Sequence, residues 1–128
     1  MDLARPQLAL ARAPADWVLS LEVGEHVPAR FTGPFLDNLH RANRYGIILS
    51  WAVPGQGGYH HTHELANSEV VALVEGRGYK HDVTLTKFLR ARAVGWASCR
   101  WFRNSLLAFR RANGTAHASG DRWAKFFN

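Results

Sequence analysis

Two continuous apolar runs stand out along the chain, Asp16 to Leu21 (DWVLSL) and Ile47 to Val53 (IILSWAV). Short unbroken runs bounded by acids or by Pro54-Gly55 predict strands buried on both faces. Between them, Phe31 to Arg44 places Phe31, Phe35, Leu36 and Leu39 at helical spacing, with Asp37, Asn38, Arg41 and Arg44 on the other side. Pro34 suits the first turn of that helix and Thr32 is a candidate cap. Gly46 is read as its C-terminal stop. After the second strand a polar loop, GQGGYHHTHELAN, leads to a helix from about Ser68 to Arg77 with Val70, Val71, Leu73 and Val74 as its stripe. Asn67 is placed at its N-cap and Gly78 ends it. Tyr79 to Val83 reads as a short strand, and Thr84 to Ala93 as a helix with Leu85, Phe88 and Leu89 inward. Ser105 to Phe109 reads as a last strand, and the segment from Ala112 as a loosely structured tail.

Apolar strands alternating with amphipathic helices predict an α/β fold with a parallel sheet covered on both sides. In such sheets ligands bind beyond the carboxyl ends of the strands. The two most polar clusters follow the first and second strands, EVGEH at Glu22–His26 and GQGGYHHTH at Gly55–His63. If the two strands are parallel neighbours, these loops face each other across one crevice.

Composition narrows the class. The chain has 128 residues, 47% of them hydrophobic, enough for one domain with a core. No segment is apolar enough to span a bilayer, and Arg5 and Arg12 interrupt any secretory h-region. The single cysteine, Cys99, allows no internal disulfide and fits a reducing compartment, so a cytoplasmic location is expected. Cys99 itself reads as a packed thiol. The net charge is +6 and uneven: seven of the sixteen basic residues and none of the ten acidic ones lie between Val83 and Gly120. Such a basic third suits an anionic partner or nucleic acid, or else is a solvated helix face.

The loop side chains could hold a divalent cation. Glu22, Glu25 and His26 offer two carboxylates and an imidazole, and His60, His61 and His63 offer three more imidazoles. Mg²⁺ would favour the carboxylates; Zn²⁺, Mn²⁺ or Fe²⁺ would accept more histidine. The bland alternative is a loop cap at Glu25 or His26 and an exposed HHTH loop. A dinucleotide G-x-G-x-x-G from Gly55 fails because position 60 is His60, and no P-loop lysine follows. The H-E-x-x-H zinc protease motif also fails, because Asn67 stands where its second histidine is required.

The segments DWVLSLEVGEHVP, FLDNLHRANRYGIILSWAVPGQGG, SEVVALVEGRGYKHD and WFRNSLLAFRR together resemble the C-terminal half of class I S-adenosylmethionine-dependent methyltransferases. The nearest likeness is to methyltransferase-like proteins with LEVGEHIP and LSWAxPGQGG loops. It covers about Asp2 to Arg111, with 112–128 as the tail. It implies a partial Rossmann-like sheet of the last four strands, the final one antiparallel, with flanking helices. It implies S-adenosylmethionine as cofactor, with Glu22 and Val23 packing on the adenosine and Asp2 and Leu3 approaching the adenine. By likeness to O-methyltransferases whose similar motif binds a divalent metal, Glu22, Glu25, His26 and His61 are implied as ligands, and a hydroxyl-bearing acceptor as substrate. The family's glycine-rich cofactor loop and ribose-binding acid have no counterpart in these residues. The expectation is therefore a truncated domain, inactive alone: either a fragment or incomplete gene product, or a chain that works only with a partner supplying the missing half. The alternative expectation is a non-enzymatic binding module using the basic third and an exposed sheet edge.

Overall fold

A computed structural model describes residues 14–95 and 98–113. Asp2 and Leu3, and the tail beyond Asn113, lie outside the described residues. The elements run β1 (Ala15–Ser20), α1 (Thr32–Ala42), β2 (Asn43–Ser50), α2 (Asn67–Glu75), β3 (Tyr79–His81), α3 (Val83–Ala93), α4 (Phe102–Ser105) and β4 (Leu106–Arg111). They build an α/β fold around an open four-stranded sheet in the order β1-β2-β4-β3.

β1 and β2 are parallel, whereas β4 enters between β2 and β3 antiparallel to both. The all-parallel sheet read from hydrophobic pattern alone is thus corrected to a mixed one. The reason is local. The short α4 delivers the chain to Leu106 at the carboxyl end of β2, so the last strand must run back down the sheet. The antiparallel final strand expected from the resemblance is present.

Alternation along β2 and β4 divides the core. Ile47 lies opposite Phe109 and Leu49 opposite Leu107, and these four pack with Phe35, Leu36, Leu39, Val70 and Val74 from α1 and α2. The other face holds Ile48 and Leu106 under Ala93, Leu89 and Phe102 from α3 and α4. Cys99 packs at the edge of this smaller cluster, as a packed thiol should. Both sheet faces are covered, which is why β2 reads as an unbroken apolar run. β1 pairs only with β2 among the described residues, and its Leu19 is 63% exposed.

Several element ends differ from the sequence reading because side chains, not glycines, make them. α1 stops at Ala42, and Gly46 does not cap it. Instead Asn43 Nδ2 donates to the Leu39 carbonyl at 2.7 Å, and the Arg111 guanidinium donates to the His40 and Asn43 carbonyls. Gly46 lies inside β2, where a Cβ would fall 2.2 Å from the Trp17 ring and 2.5 Å from the Phe109 carbonyl oxygen. Thr32 is the first helical residue and bonds His63 Nδ1 at 3.3 Å rather than capping. The N-cap of α2 is Ala66, whose N–H donates to Glu69, and Asn67 is already helical. Within α3 the fully buried positions are Thr86 and Ala93, with Leu85, Phe88 and Leu89 half-buried.

β3 ends at His81 because Asp82 caps α3. Its Oδ1 accepts from the Leu85 N–H at 2.8 Å while Oδ2 pairs with Arg110 at 2.5 Å. Burial pushes the Asp82 carboxyl up, but these two donors outweigh it and hold the group below its ordinary value. Asp82→Ala should therefore cost about 1–2 kcal/mol near neutral pH. The contribution is present above the unfolded-state pKa and is lost as pH falls through the lower folded-state value. Urea melts of both proteins should show the gap closing in that acid window.

Candidate metal centre

The chain leaves β1 through Glu22, a non-glycine residue with φ of 51°. That left-handed conformation is uncommon and needs support from its surroundings. Ser50, at the end of β2, supplies it. Its Oγ accepts the Glu22 N–H at 2.8 Å and donates back to Glu22 Oε1 at 2.8 Å. Gln56 Nε2, from the loop after β2, donates to the other carboxylate oxygen at 2.9 Å. Glu22 therefore ties the two loops together, and Val23 beside it packs onto the main core. The two loops expected to face each other do meet here.

A single 3₁₀ turn follows, Gly24–His26. Gly24 lies flat against the Trp51 indole, where a Cβ would come within 2.3 Å of the ring. Trp51 is itself buried and donates from Nε1 to the His63 carbonyl at 2.7 Å. The Glu25 carbonyl accepts from the Thr62 and His63 N–H groups at 2.9 and 3.0 Å. The turn is thus clamped between β2 and the histidine loop, which sends Glu25 inward and leaves His26 outside.

Glu25, His26 and His61 each present one ligand atom, and the three atoms lie within 4.8 Å of one another. Glu25 is 0% exposed, and neither carboxylate oxygen has a hydrogen-bond partner. Burial, assisted by the nearby Glu22 charge, pushes its carboxyl up from the ordinary value. His61 Nε2 stands 3.9 Å from Glu25 Oε1, too far for a hydrogen bond.

Both imidazoles are oriented from behind. His26 Nδ1 lies 3.1 Å from the His60 carbonyl oxygen, so that nitrogen must donate. His61 Nδ1 lies 3.0 Å from Glu64 Oε1. The His61 hydrogen bond, together with the Gly55 and Gly57 N–H groups, holds the Glu64 carboxyl below its ordinary value, so it accepts rather than donates. With both Nδ1 atoms protonated, the Nε2 lone pairs remain for a ligand. An outer acceptor fixing the tautomer is the usual support of metal-bound histidine. A buried carboxylate without partners, beside two lone pairs so arranged, fits a divalent cation. The donor set of one carboxylate and two imidazoles suits Zn²⁺, Mn²⁺, Fe²⁺ or Co²⁺ better than Mg²⁺.

Of the four ligands implied by the resemblance, the structure brings together Glu25, His26 and His61. Glu22 is not in this group, because its carboxylate is held by Ser50 and Gln56. His63 faces Thr32 instead. The sequence reading missed Glu64 as part of the centre; an acid three residues after His61, in a loop that follows a glycine-rich stretch, was the signal for it.

The basic third is largely structural on its sheet side. Arg90 donates to the Leu106 carbonyl, Arg110 pairs with Asp82, and Arg111 closes α1. Lys87, Arg92, Arg100 and Arg103 are exposed. A cavity of about 600 Å³ lies at the other end of the sheet, lined in part by His40, Arg41, Arg44, Arg77 and Arg111. Arg77 there is paired with Asp37 at 2.8 Å, and Arg111 bonds backbone carbonyls. With Arg77 and Arg111 so engaged, the centre around Glu25, whose carboxylate oxygens have no hydrogen-bond partner, is the stronger site among the described residues. No helix among the described residues is long and apolar enough to cross a membrane. Compared with protein-family models, curated proteins and solved structures, the chain shows no significant match.

Proposed function

We propose that the chain carries the cation-binding half of a class I, Rossmann-like methyltransferase domain that moves a methyl group from S-adenosylmethionine to a hydroxyl oxygen. The observation that carries this reading is the meeting of the EVGEH and PGQGG loops at the carboxyl ends of two parallel neighbours, β1 and β2. The antiparallel final strand agrees with it. The edge of β1 that has no strand partner among the described residues, together with the exposed Leu19, would suit pairing with further strands of such a sheet.

Glu25, His26 and His61 would hold the divalent cation. Bound there, a cation supplies the Lewis-acid charge that lowers a hydroxyl pKa. Glu64 and the His60 carbonyl accept from the two imidazoles at Nδ1 and so leave Nε2 for the cation. Glu22 and Val23 form the wall assigned to the adenosine. S-adenosylmethionine would supply the methyl group to the acceptor oxygen, with the hydroxyl proton released to solvent.

The 128-residue chain alone should show no saturable micromolar binding of S-adenosylmethionine by calorimetry. Joined to a glycine-rich strand–loop–helix segment, encoded upstream in frame or supplied by a co-purifying protein, it should transfer radiolabelled methyl to hydroxyl acceptors only with divalent cation present. Tight cofactor binding by the isolated chain would overturn the half-domain reading. A joined protein that binds cofactor but methylates nitrogen acceptors without added cation would overturn the assigned chemistry.

A further inference from the structure

We infer that Glu64 is the positioning residue of the centre, locking the His61 tautomer and fastening the Pro54–Gly58 turn with one carboxylate, so that cation occupancy and order in the turn are coupled. The inference rests on the cation reading of Glu25, His26 and His61.

Three donors converge on Glu64. Oε1 accepts from His61 Nδ1 at 3.0 Å and from the Gly57 N–H at 3.0 Å, while Oε2 accepts from the Gly55 N–H at 2.9 Å. Gly55 and Gly57 have φ of 84° and 69°, a conformation that glycine adopts without strain. The alternation of left-handed glycines turns both N–H groups toward the same side, where a single carboxylate reaches them. This turn has little other backbone support, the Gln56 N–H to Val53 carbonyl bond at 2.9 Å being its main internal contact.

The same turn touches both loops. Gln56 donates to Glu22, in the loop after β1. Gly58 abuts the coordinating edge of His61, and a Cβ there would stand 2.3 Å from Nε2. A shift of His61 on taking up a cation is therefore felt by Gly58 directly and by Gly55 and Gly57 through Glu64. Reciprocally, an ordered turn holds His61 ready, as linkage requires of two coupled equilibria. A carboxylate can accept from all three donors. A carboxamide at the same place keeps one acceptor and turns an NH₂ group against an N–H, so Glu64→Gln breaks part of the clamp while conserving shape.

The test uses Zn²⁺ alone as the probe on the 128-residue chain and on Glu64→Gln. The ¹⁵N imidazole spectrum should show His61 protonated on Nδ1 in the parent without metal, and a mixture of tautomers in the variant. Zn²⁺ affinity should fall about 10- to 100-fold in the variant. Amide exchange at Gly55 and Gly57 should slow on Zn²⁺ addition in the parent and respond much less in Glu64→Gln. If the parent takes up no Zn²⁺, the cation reading fails, and the coupling falls with it. If the parent binds Zn²⁺ and the variant matches it in affinity, tautomer and glycine exchange, the role of Glu64 is overturned while the centre stands. Glu64 lies on a loop, and dispersion of the core amide signals verifies that the variant is folded.

Discussion

On the proposed cation reading, Glu25→Gln should abolish the stabilisation that divalent cations would confer, and it should make the cation-free form more stable at neutral pH. The first effect follows from the donor set: a carboxamide in place of the Glu25 carboxylate is a neutral, weak ligand. A cation at about a hundred times its dissociation constant stabilises the folded state by about 2.7 kcal/mol, and the variant should lose that increment. The second effect follows from burial. The Glu25 carboxyl is wholly buried, without partners, and its folded-state pKa is raised. As pH climbs past the ordinary glutamate value, the unfolded chain ionises first, so the parent loses stability until the raised folded value is passed. A carboxamide cannot ionise, and the variant lacks this slope. Saturating cation should reverse it in the parent, since the ligands must be deprotonated to bind. Thermal melts from about pH 4 to 8, with and without Zn²⁺, read both effects, and a parent whose pH slope equals that of the variant would refute the burial argument.

Trp51→Ala should be the most damaging single substitution in the fold, costing about 3–5 kcal/mol of a total on the order of 5–15 kcal/mol. The indole is 1% exposed, meets Phe35 edge-on at 5.9 Å and carries the hydrogen bond to the His63 carbonyl. It also lies against Gly24. Gly24→Ala should cost about 1–3 kcal/mol by overpacking, because the ring is fixed and cannot withdraw. The two losses should not add. With the ring removed, the extra methyl at position 24 enters space instead of a clash, so the double variant should be more stable than the sum of the singles predicts. Urea denaturation of all four proteins closes this cycle, and strict additivity would mean that Gly24 and Trp51 are not in contact.

That contact explains why two distant motifs belong together. SLEVGEH and SWAVPGQGG were legible as facing loops because both follow apolar strands. Their meeting needed only that β1 and β2 be parallel neighbours, and they are. Which acid turns inward was not legible. Spacing treats Glu22 and Glu25 alike; the left-handed backbone at Glu22 and the 3₁₀ turn after it separate them. The Ser50 hydroxyl that supports this conformation is 28 residues away in sequence.

The fold divides in the same manner. β2 was legible because it is buried on both faces, and α1 because Phe35, Leu36 and Leu39 share one stripe. The direction of β4 was invisible to hydrophobic pattern, which is the same for a strand run either way. The ends of α1 and β3 were misjudged where long-range groups make them. Arg111 reads as a flanking charge in sequence, yet it pairs in β4 beside Tyr79 and closes α1 from across the sheet. Asp82 reads as part of a strand and instead starts α3.

The most direct test of the centre is a Co²⁺ titration of the 128-residue chain near neutral pH, followed by visible absorption and calorimetry. Uptake of one cation per chain is predicted, with visible ligand-field bands, tighter binding than Mg²⁺, and loss of both signals in Glu25→Gln and His61→Ala. Absence of saturable uptake, or uptake that survives both substitutions unchanged, would contradict the assignment of Glu25, His26 and His61 as a metal centre.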